Sequence, residues 1–454
     1  MTGRISRRAA VKSMAATPFL LTILPAGLAR GYSANERLNV ALVGCGTRGR
    51  GLMEALRLIG ENLVAMCDVN QQRAAQAYKM APDVPKHLDY RKMLEENAGR
   101  IDAVMVATCD HHHAPCSALA MKLGKPVYCE KPLVQTVREA RQIRRIAKET
   151  GVATQMGNQG TATDAFREQV EILQTGGLGE VRDVYVWQRM GNRGIRELPT
   201  EAETPPKTLA WDLWLGPRPH RPYNRAWTQW SAWREFGTGQ LGNWGSHAAA
   251  AQFRGLKLDT IWDAAASSSA RIRVRPKSAE SNAWSFPLWE IIDYELPARG
   301  GAPTEGWSPP VIMHWFNGDE APGFPQNIEK MTGDEAGGSG CLVVGTRGKI
   351  LASGHNSAYR VLQDEGAEPV RKPEPYLPRH GSHEREWFDA IRGKLKEPFS
   401  NFDFASREIE TLLLGNVATL LGRQIEYDPI AGVCPGDDEA TAALDREHRS
   451  GWEV

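Results

Sequence analysis

The stretch LNVALVGCGTRG, residues 38–49, determines how the first part of the chain folds. Its apolar, β-branched run ends in the pattern Gly-x-Gly-x-x-Gly, and a helical segment follows from Gly51 to Leu58. A second apolar run, Leu63 to Cys67, predicts another strand and is followed directly by Asp68. Strand, glycine-rich turn, helix, strand and acid in this order predict a βαβ unit that binds a dinucleotide.

Each glycine of the pattern has its own expected role. Gly44 permits the tight turn, Gly46 lets the backbone approach a pyrophosphate, and Gly49 lets the helix pack on the strand. The pyrophosphate then lies at the N-terminus of the helix, where free N–H groups and the helix dipole favour an anion. Asp68 follows Gly49 by 19 residues and can accept hydrogen bonds from ribose hydroxyls, which favours NAD. The nearby Arg73 leaves NADP as the alternative cofactor.

The overall composition argues against several classes of function. The chain has 454 residues, enough for two or three domains, and its formal net charge of +1 gives no reason to expect a nucleic-acid partner. None of its seven cysteines forms a Cys-x-x-Cys pair. We therefore expect neither a disulfide framework nor a metal site.

Residues 1–34 are interpreted as a targeting segment and linker. Arg7 and Arg8 precede a moderately apolar run, Met14 to Leu28, which resembles a Tat export signal. The run is too short to span a bilayer as a permanent anchor. We expect cleavage near Ala29, after which the mature protein would carry no membrane anchor. A basic, disordered start is the alternative interpretation. The signal predicts the Tat translocase as a partner and a periplasmic or secreted location. Because Tat exports folded proteins, a cofactor can be exported already bound.

Residues 35–157 alternate strands with helices, which predicts an α/β architecture with a doubly wound parallel sheet, the Rossmann fold. Beyond the first βαβ unit, helices are predicted over Gln71–Met80, Tyr90–Glu96, Pro115–Gly124 and about 137–148, and strands over Ile101–Thr108, Pro126–Cys129 and Val152–Met156.

Residues 158–433 contain strand patterns with few helices between them, which predicts an α+β domain with a large open, mainly antiparallel sheet. The predicted strands are Val181–Trp187, Ile261–Ala266, Ser269–Val274, Leu288–Leu296, Val311–Phe316, Cys341–Val344 and Lys349–Ala352. Helices are predicted over His383–Ile391 and Ser406–Leu421, and Gly and Pro in Arg299–Gly340 predict a surface loop. Residues 434–454 are a polar tail that wraps the surface or frays.

Tryptophans are concentrated in one part of this second region. Eight of the 14 lie between Trp187 and Trp262. One interpretation is that they pack a loop-rich insertion. The other is that they form an aromatic platform for sugar rings, whose C–H faces stack on indole.

Glu130-Lys131-Pro132 directly follows a predicted strand, at the sheet edge where open α/β folds bind ligands. A lysine there, close to a nicotinamide, can bind a substrate hydroxyl and move its proton, with its pKa lowered by partial desolvation. A surface Glu–Lys pair is the alternative.

Two further stretches contain candidate histidines. DHHH, residues 110–113, follows the strand that ends at Thr108, and we expect it to line the cofactor cleft. Adjacent residues of a turn diverge, which argues against metal binding. GNWGSH, residues 242–247, opens an apparent helix, so Asn243 and His247 lie one turn apart and can face one cleft. The alternative for His247 is a buried structural histidine.

Together these motifs resemble the Gfo/Idh/MocA family of oxidoreductases (glucose-fructose oxidoreductase, inositol dehydrogenase, rhizopine catabolism). The resemblance runs from Leu38 to Gly422 and rests on VGCGTRG, CDVN, DHHHAP, GKPVYCEKP, QMGNQ, WDLWLGP and GNWGSH. WDLWLGP points to a secreted, tryptophan-rich branch. The resemblance implies a substrate site between the two domains, catalysis by Lys131 and His247, and a homo-oligomer. It also implies NAD(P) contacts at Gly44, Gly46, Thr47, Arg48, Gly49, Asp68, Thr108, His111, His113, Glu130, Lys131 and Asn158.

The sequence departs from the family at two places. The family usually carries Asp four residues before the catalytic histidine, where this chain has Asn243, which cannot take a proton. Ala248 to Ala251 stand where the family has an acid after that histidine. Any acid–base work therefore falls to Lys131 and His247.

The activity implied is that of an NAD(P)-dependent oxidoreductase acting on a sugar, polyol or glycoside hydroxyl, with a tightly bound, recycled cofactor. Recycling is expected because free NAD is scarce outside the cytoplasm. Two alternatives stay open. One is a redox-neutral glycosidase that oxidises, eliminates, hydrates and reduces within one cycle. The other is a non-catalytic sugar-binding protein that holds a nucleotide.

The twin-arginine interpretation predicts that a double Arg7→Lys, Arg8→Lys variant stays in the cytoplasm with residues 1 to about 30 attached. Cell fractionation and the mass of the purified protein check this. Export of the double variant at the wild-type level would contradict the interpretation.

Overall fold

The computed structural model describes residues 37–263, 270–299, 308–363 and 365–454. The twin-arginine segment lies outside these residues, as does most of the linker that follows it. Within these ranges, no helix combines the length and the apolar character needed to cross a membrane.

The first sheet has six parallel strands in the order β3-β2-β1-β4-β5-β6. This order, which reverses direction at β1, confirms the predicted Rossmann fold. Ligands of such sheets bind in the crevice at the carboxyl ends of the strands, beside the reversal. The strands are β1 (Asn39–Val43), β2 (Asn62–Cys67), β3 (Lys86–His87), β4 (Ala103–Val106), β5 (Val127–Glu130) and β6 (Thr154–Gly157).

Helices cover this sheet where the sequence predicts them. The last of them begins with a reciprocal cap, in which Thr136 and Glu139 each accept a hydrogen bond from the other's backbone N–H. It ends at Gly151, whose φ of 64° is left-handed. The helices are α1 (Thr47–Ile59), α2 (Gln71–Met80), α3 (Tyr90–Asn97), α4 (His113–Lys122) and α5 (Val137–Thr150).

The second sheet has eight strands in the order β13-β12-β11-β7-β10-β9-β8-β14. β7 and β10 are parallel, and the other neighbouring pairs are antiparallel, which confirms the predicted mainly antiparallel sheet. The strands are β7 (Val181–Gln188), β8 (Ile272–Ser278), β9 (Glu290–Leu296), β10 (Val311–Asn317), β11 (Ser339–Gly345), β12 (Gly348–Ser353), β13 (Tyr359–Leu362) and β14 (Ile425–Tyr427).

The second region has eight described α-helices and a π-helical turn, Leu241–Gly245. The α-helices are α6 (Asp164–Gln174), α7 (Trp211–Leu215), α8 (Ser246–Ala248), α9 (Ala250–Gly255), α10 (Gln326–Thr332), α11 (His383–Ile391), α12 (Phe402–Leu421) and α13 (Asp438–Ala443).

Helix α12 packs against both domains. It contacts α5 of the first domain and β8 of the second sheet, and most of its side chains are buried. The fully buried Glu410 on α12 accepts hydrogen bonds from Arg141 and Arg144 on α5 and from the Trp262 indole. These hydrogen bonds compensate a carboxylate removed from water and fix how the two domains meet.

Some sequence predictions for the second region are wrong. The expected strand Ile261–Ala266 begins inside a 3₁₀ helix, Leu258–Trp262, that follows Lys257 in a left-handed conformation (φ 53°); residues 264–266 lie outside the described ranges. The expected loop over Arg299–Gly340 contains helix α10, whose single buried side chain, Ile328, gives little periodic signal. Strands β3, β13 and β14 were not predicted.

The turn between β1 and α1 generates a stability prediction. A Cβ built at Gly49 would lie 2.1 Å from the Gly44 carbonyl oxygen, whereas one at Gly51 would meet only the Arg48 guanidinium, at 3.4 Å. Gly49→Ala should therefore destabilise the fold by about 1–3 kcal/mol through overpacking. The matched control Gly51→Ala should stabilise it by roughly 0.5–1 kcal/mol. Urea unfolding measures both changes, and equal stability of the two variants would contradict the packing argument.

Candidate active site

The glycine-rich turn forms a cradle at the N-terminus of α1. Gly44 has a φ of 91°, and a Cβ built on it would lie 2.3 Å from the Ala107 carbonyl oxygen. Gly46 precedes α1 and has open space where its Cβ would be. The three glycines thus have the environments that the tight turn, the close backbone approach and the helix packing require. The residues present fit a pyrophosphate at this point.

Asp68 stands at the carboxyl end of β2, beside that cradle. Its two carboxylate oxygens accept hydrogen bonds from the backbone N–H groups of Cys45 and Asn70, each at 2.8 Å. Burial raises the pKa of Asp68, and these two hydrogen bonds and the charge of Arg73 oppose the rise. The carboxylate is therefore held in a fixed orientation, with lone pairs left for ribose hydroxyls.

A cleft of about 270 Å³ runs over the carboxyl ends of β1, β2 and β4. A larger cavity, of about 610 Å³, lies at the opposite edge of the sheet, beside Asp102, Pro126 and Thr154. Ligands of open α/β sheets bind at the carboxyl edge, so the smaller cleft is the candidate cofactor site. Six of the predicted contacts line it: Gly44, Gly46, Thr47, Arg48, Asp68 and Thr108.

A tryptophan-rich segment, residues 190–237, covers one side of this cleft. It is attached to the chain after Asp68, where Gln71 N–H donates to the Thr208 carbonyl and Ala210 N–H donates to the Val69 carbonyl. Trp214, Thr228 and Trp230 of the segment line the cleft together with the glycine-rich turn. The second domain therefore contributes part of the cofactor site.

Most of the clustered tryptophans serve packing. Six of the eight are less than one tenth exposed, and four of these form a cluster of their own with Tyr223 and Phe236. The six are Trp187, Trp211, Trp214, Trp227, Trp233 and Trp262. Trp230 in the cofactor cleft and Trp244 beside His247 are half-buried, so each has exposed ring surface that could stack on a ligand.

The C-terminal tail packs behind the cleft and does not fray there. Arg449 donates to the Asp212 carboxylate at 2.6 Å and to the Gly216 carbonyl at 2.8 Å. The buried Trp452 ring contacts the Tyr90 and His112 rings edge-on, and both of these residues line the cleft. The tail thus holds the tryptophan-rich segment against the first domain.

The three adjacent histidines have structural contacts. His111 is fully buried, with its ring nitrogens 2.9 Å from the Trp214 carbonyl and 3.3 Å from the Phe236 carbonyl. Burial lowers its pKa far below the usual value. His111 therefore does not line the cleft, contrary to expectation, because the second domain occupies both sides of its ring. His112, which was not assigned a contact, lines the cleft instead.

His113 positions the loop that carries the candidate lysine. Its Nδ1 lies 2.7 Å from the Pro132 carbonyl oxygen and its Nε2 lies 3.2 Å from the Thr108 carbonyl oxygen. It is buried and is not among the residues that line the cleft, and its two contacts link the ends of β4 and β5.

Arg48 connects the cofactor cleft with the end of β5. Its Nε donates to Glu130 at 2.6 Å, and Gln159 donates to the same oxygen at 3.1 Å. Burial raises the pKa of Glu130 to about 7, an effect that the charge of Arg48 opposes. Glu130 itself lies behind the cleft, where a Cβ on Gly157 would fall 2.7 Å from it.

Lys131 lies at the junction of the two domains. Its Nζ donates to Asn243 Oδ1, from the π-helical turn of the second domain. Burial lowers the pKa of Lys131, while the carboxylates of Glu130 and Asp110 oppose that change. A larger share of this amine is therefore neutral, and able to accept a proton, than of a lysine in water. π-Helical turns occur frequently at functional sites.

His247 faces the same junction. Its Nδ1 is buried and has no hydrogen-bond partner among the described residues. Burial lowers the pKa of His247 far below the usual value, and the charge of Lys131 adds to the effect. The ring is thus neutral and has a nitrogen available for a ligand. The structure brings Lys131, Asn243 and His247 together, as the sequence predicts.

Asn158 braces this arrangement from the end of β6. Its Nδ2 donates to the Ser246 carbonyl at 3.3 Å, and its Oδ1 accepts from the Ser400 hydroxyl at 2.6 Å. It is 1% exposed, so its contacts support the backbone before His247 and do not reach the cleft.

Two residues near Lys131 were missed as site residues. Asp110 is buried and accepts from Thr238 Oγ1 at 2.9 Å; burial raises the pKa of this carboxyl to about 7. His355 places its ring centre 4.4 Å from that of His247. The sequence did contain an indication that Asp110 lies in the site, because this residue follows the end of a predicted strand. The sequence contained no such indication for His355, because its position depends on contacts between residues far apart in the sequence. In the described part of the chain, no group of three or more potential ligands could hold a metal.

Comparison with known proteins identifies the first domain. Residues 38–158 match the family described as GFO_IDH_MocA, an oxidoreductase family with an NAD-binding Rossmann fold. These residues are thus similar to the NAD-binding domain of that family.

The names of curated proteins similar to this domain refer to a polyol or a sugar derivative. The chain is 28% identical over 145 residues to inositol 2-dehydrogenase 2 of Saccharopolyspora erythraea, covering 31% of this chain and 42% of that protein. It is 30% identical over 141 residues to 1,5-anhydro-D-fructose reductase of Ensifer adhaerens, covering 30% and 41%. The chain spans less than half the length of these curated relatives.

Solved structures extend the likeness to the second domain. The WlbA dehydrogenase from Bordetella pertussis, in complex with NADH and UDP-GlcNAcA, has a TM-score of 0.56 at 18% identity, covering 86% of this chain and 98% of that one. GenD2 from gentamicin A biosynthesis, in complex with NAD, has a TM-score of 0.55 at 19% identity, covering 87% and 98%. At these identities the likeness concerns the fold.

The candidate cofactor cleft leads to a prediction about NAD binding. Asp68→Ala should weaken NAD binding about 10–100-fold, because it removes a charged acceptor from the ribose hydroxyls. Asp89→Ala is the matched control: Asp89 also caps a backbone N–H after a strand, at the start of α3, but it does not line the cleft. Calorimetric titration of the nucleotide-free protein with NAD compares the two. NAD binding that is equal in the Asp68→Ala variant and the wild type would refute the role of Asp68.

Proposed function

We propose that this protein is an NAD-dependent oxidoreductase that acts on a hydroxyl of a sugar, polyol or glycoside. The observation that carries the proposal is the contact between Lys131 Nζ and Asn243 Oδ1, beside the unpartnered Nδ1 of His247. These groups lie at the carboxyl end of β5, and Arg48 connects them to the cofactor cleft.

The side chains at this junction can perform the proton transfer that an alcohol oxidation needs. Bound NAD supplies the hydride acceptor. Lys131, with its lowered pKa, accepts the hydroxyl proton in its neutral form. Asn243 takes no proton, but its amide oxygen orients the lysine. His247 offers a neutral imidazole to the same hydroxyl.

The surroundings of Lys131 favour an uncharged, polyhydroxylated substrate. Gln240, Asn243 and His247 supply amide and imidazole groups, which both donate and accept hydrogen bonds. Trp244 is half-buried next to His247, at a ring-centre distance of 6.0 Å, and can stack on the C–H face of a sugar ring. The polyol and sugar substrates in the relatives' names agree with this chemistry.

The two coverings of the cleft support a retained cofactor. The tryptophan-rich segment and the tail together place Trp214, Trp230 and Trp452 around or behind the nucleotide site. A retained nucleotide suits the proposed Tat export to a periplasmic or secreted location. It must be recycled in place, by a second substrate or within one catalytic cycle. Retention therefore also favours the redox-neutral glycosidase as the second candidate.

The test begins with the purified, exported protein after extensive dialysis. We expect denaturation to release NAD or NADH, identified by mass and absorbance. The holoenzyme is then incubated with polyols, sugars and glycosides while bound-NADH absorbance and free sugar are followed. NADH formation with an oxidised product supports the oxidoreductase, and free sugar without net redox change supports the glycosidase. Binding with neither signal supports a sugar-binding protein and would refute the proposal.

Lys131→Ala should lower whichever activity is found by about 10²–10⁴-fold, the usual contribution of a general base. The nucleotide content should stay at the wild-type level. Lys122→Ala, an exposed lysine of α4 in the same domain, serves as the control and should keep full activity. Unchanged activity in Lys131→Ala would show that the catalytic base lies elsewhere.

A further inference from the structure

The turn between β12 and β13, residues 354–358, projects into the junction from the second sheet. Its Asn356 is fully buried and has a left-handed backbone, with a φ of 54°. The Asn356 amide donates to the carbonyls of His247, at 2.8 Å, and Ala248, at 3.1 Å. The turn is thus attached directly to the backbone of the histidine that faces Lys131.

A second contact holds the same turn from the opposite side. A Cβ built at Gly160 would lie 2.0 Å from the carbonyl oxygen of His355, so the residues after β6 leave room for this turn only because glycine stands there. Asn356 also accepts from Gln252 at 3.0 Å, and its own carbonyl accepts from Gln169 at 2.9 Å. Left-handed backbone at a non-glycine residue is costly and persists only where surrounding contacts fix it.

These contacts hold the backbone of the turn and leave the His355 side chain free of hydrogen bonds within the described residues. The His355 residue is exposed, and its ring centre lies 4.4 Å from that of His247 and 5.1 Å from that of Trp244. Partial burial lowers its pKa, and the charge of Lys131 adds to the effect. An exposed imidazole that can donate and accept hydrogen bonds therefore lies beside the His247 and Trp244 rings at the junction.

We propose that His355 binds the substrate hydroxyl adjacent to the one that Lys131 and His247 address, so that the enzyme selects a vicinal diol. The inference rests on the proposed function. Two imidazoles at this spacing can each reach one of two hydroxyls on neighbouring ring carbons, since each hydrogen bond spans about 2.7–3.0 Å. Trp244, in contact with both imidazole rings, would lie against the ring that carries the diol.

His355 acts as a specificity residue on this account. A site that hydrogen-bonds a particular hydroxyl disfavours the analogue that lacks it, because a polar group of the protein is left unpaired. The resemblance leads one to expect an acid shortly after His247, but this chain has alanines at 248–251. A polar side chain at the junction comes instead from the β12–β13 turn, as the imidazole of His355.

The experiment compares paired substrates with the holoenzyme. Myo-inositol, glucose and their monodeoxy analogues are tested for kcat/KM through bound-NADH formation and for binding by calorimetry. In the wild type, loss of the hydroxyl next to the oxidised carbon should lower kcat/KM about tenfold or more. In His355→Ala the parent compound should lose a similar factor, and the deoxy analogue should lose little further. His355→Gln should restore part of the discrimination, because an amide can donate and accept.

Ser357→Ala, in the same turn, is the matched control and should behave as the wild type; melting temperatures check that all variants fold. If His355→Ala still discriminates parent from analogue as the wild type does, the inference is wrong and the proposed function stands. If the panel is bound in a His355-dependent way without redox change, the proposed oxidoreductase function fails, and the binding of the diol by His355 stands. If no member is bound or oxidised, both are refuted.

Discussion

The desolvation of one partly buried amine, that of Lys131, is the constraint on which the site depends. A buried amine loses hydration and needs a fixed acceptor in its place. The first domain supplies the lysine and the nearby carboxylates of Glu130 and Asp110, while the acceptor, Asn243, belongs to the second domain. The site therefore forms only at the interface between the domains. Helix α12 fixes the relative position of the two domains, because its Glu410 accepts hydrogen bonds from Arg141 and Arg144 of the first domain and from Trp262 of the second.

The neutral character of Asn243 has its own consequence for this amine. A carboxylate in that place would stabilise the ammonium form and raise the pKa of Lys131. An amide offers an acceptor oxygen without that charge, so desolvation remains the largest influence on the amine. Replacing the acid thus leaves the orientation of the lysine intact and favours its proton-accepting form. An amide at position 243 is therefore compatible with the proton transfer proposed for Lys131.

Local patterns predicted the first domain well and the second less completely. The glycine pattern with Asp68, and the helical pattern of α5, depend on neighbours in the sequence, and the structure has the turn and the helix where they were expected. The 3₁₀ helix at Leu258–Trp262 was missed because a short apolar run fits strand and helix equally. The positions of His111 and His355 could not be predicted, because both depend on residues more than 100 positions away: the Trp214 carbonyl contacts His111, and the Asn356 amide joins the turn that carries His355 to the His247 carbonyl.

The packing of Trp452 against Tyr90 and His112 sets an order for assembly during synthesis. A ribosome makes Tyr90 and His112 more than 300 residues before Trp452. The Arg91 guanidinium likewise donates to the Gly451 carbonyl, which lies 360 residues later in the chain. Until Gly451 and Trp452 have been synthesised, Tyr90 and His112 lack the packing partner that lies behind the nucleotide cleft. A nascent chain thus has an incomplete nucleotide pocket, and closure of the pocket marks a chain whose synthesis has passed residue 452.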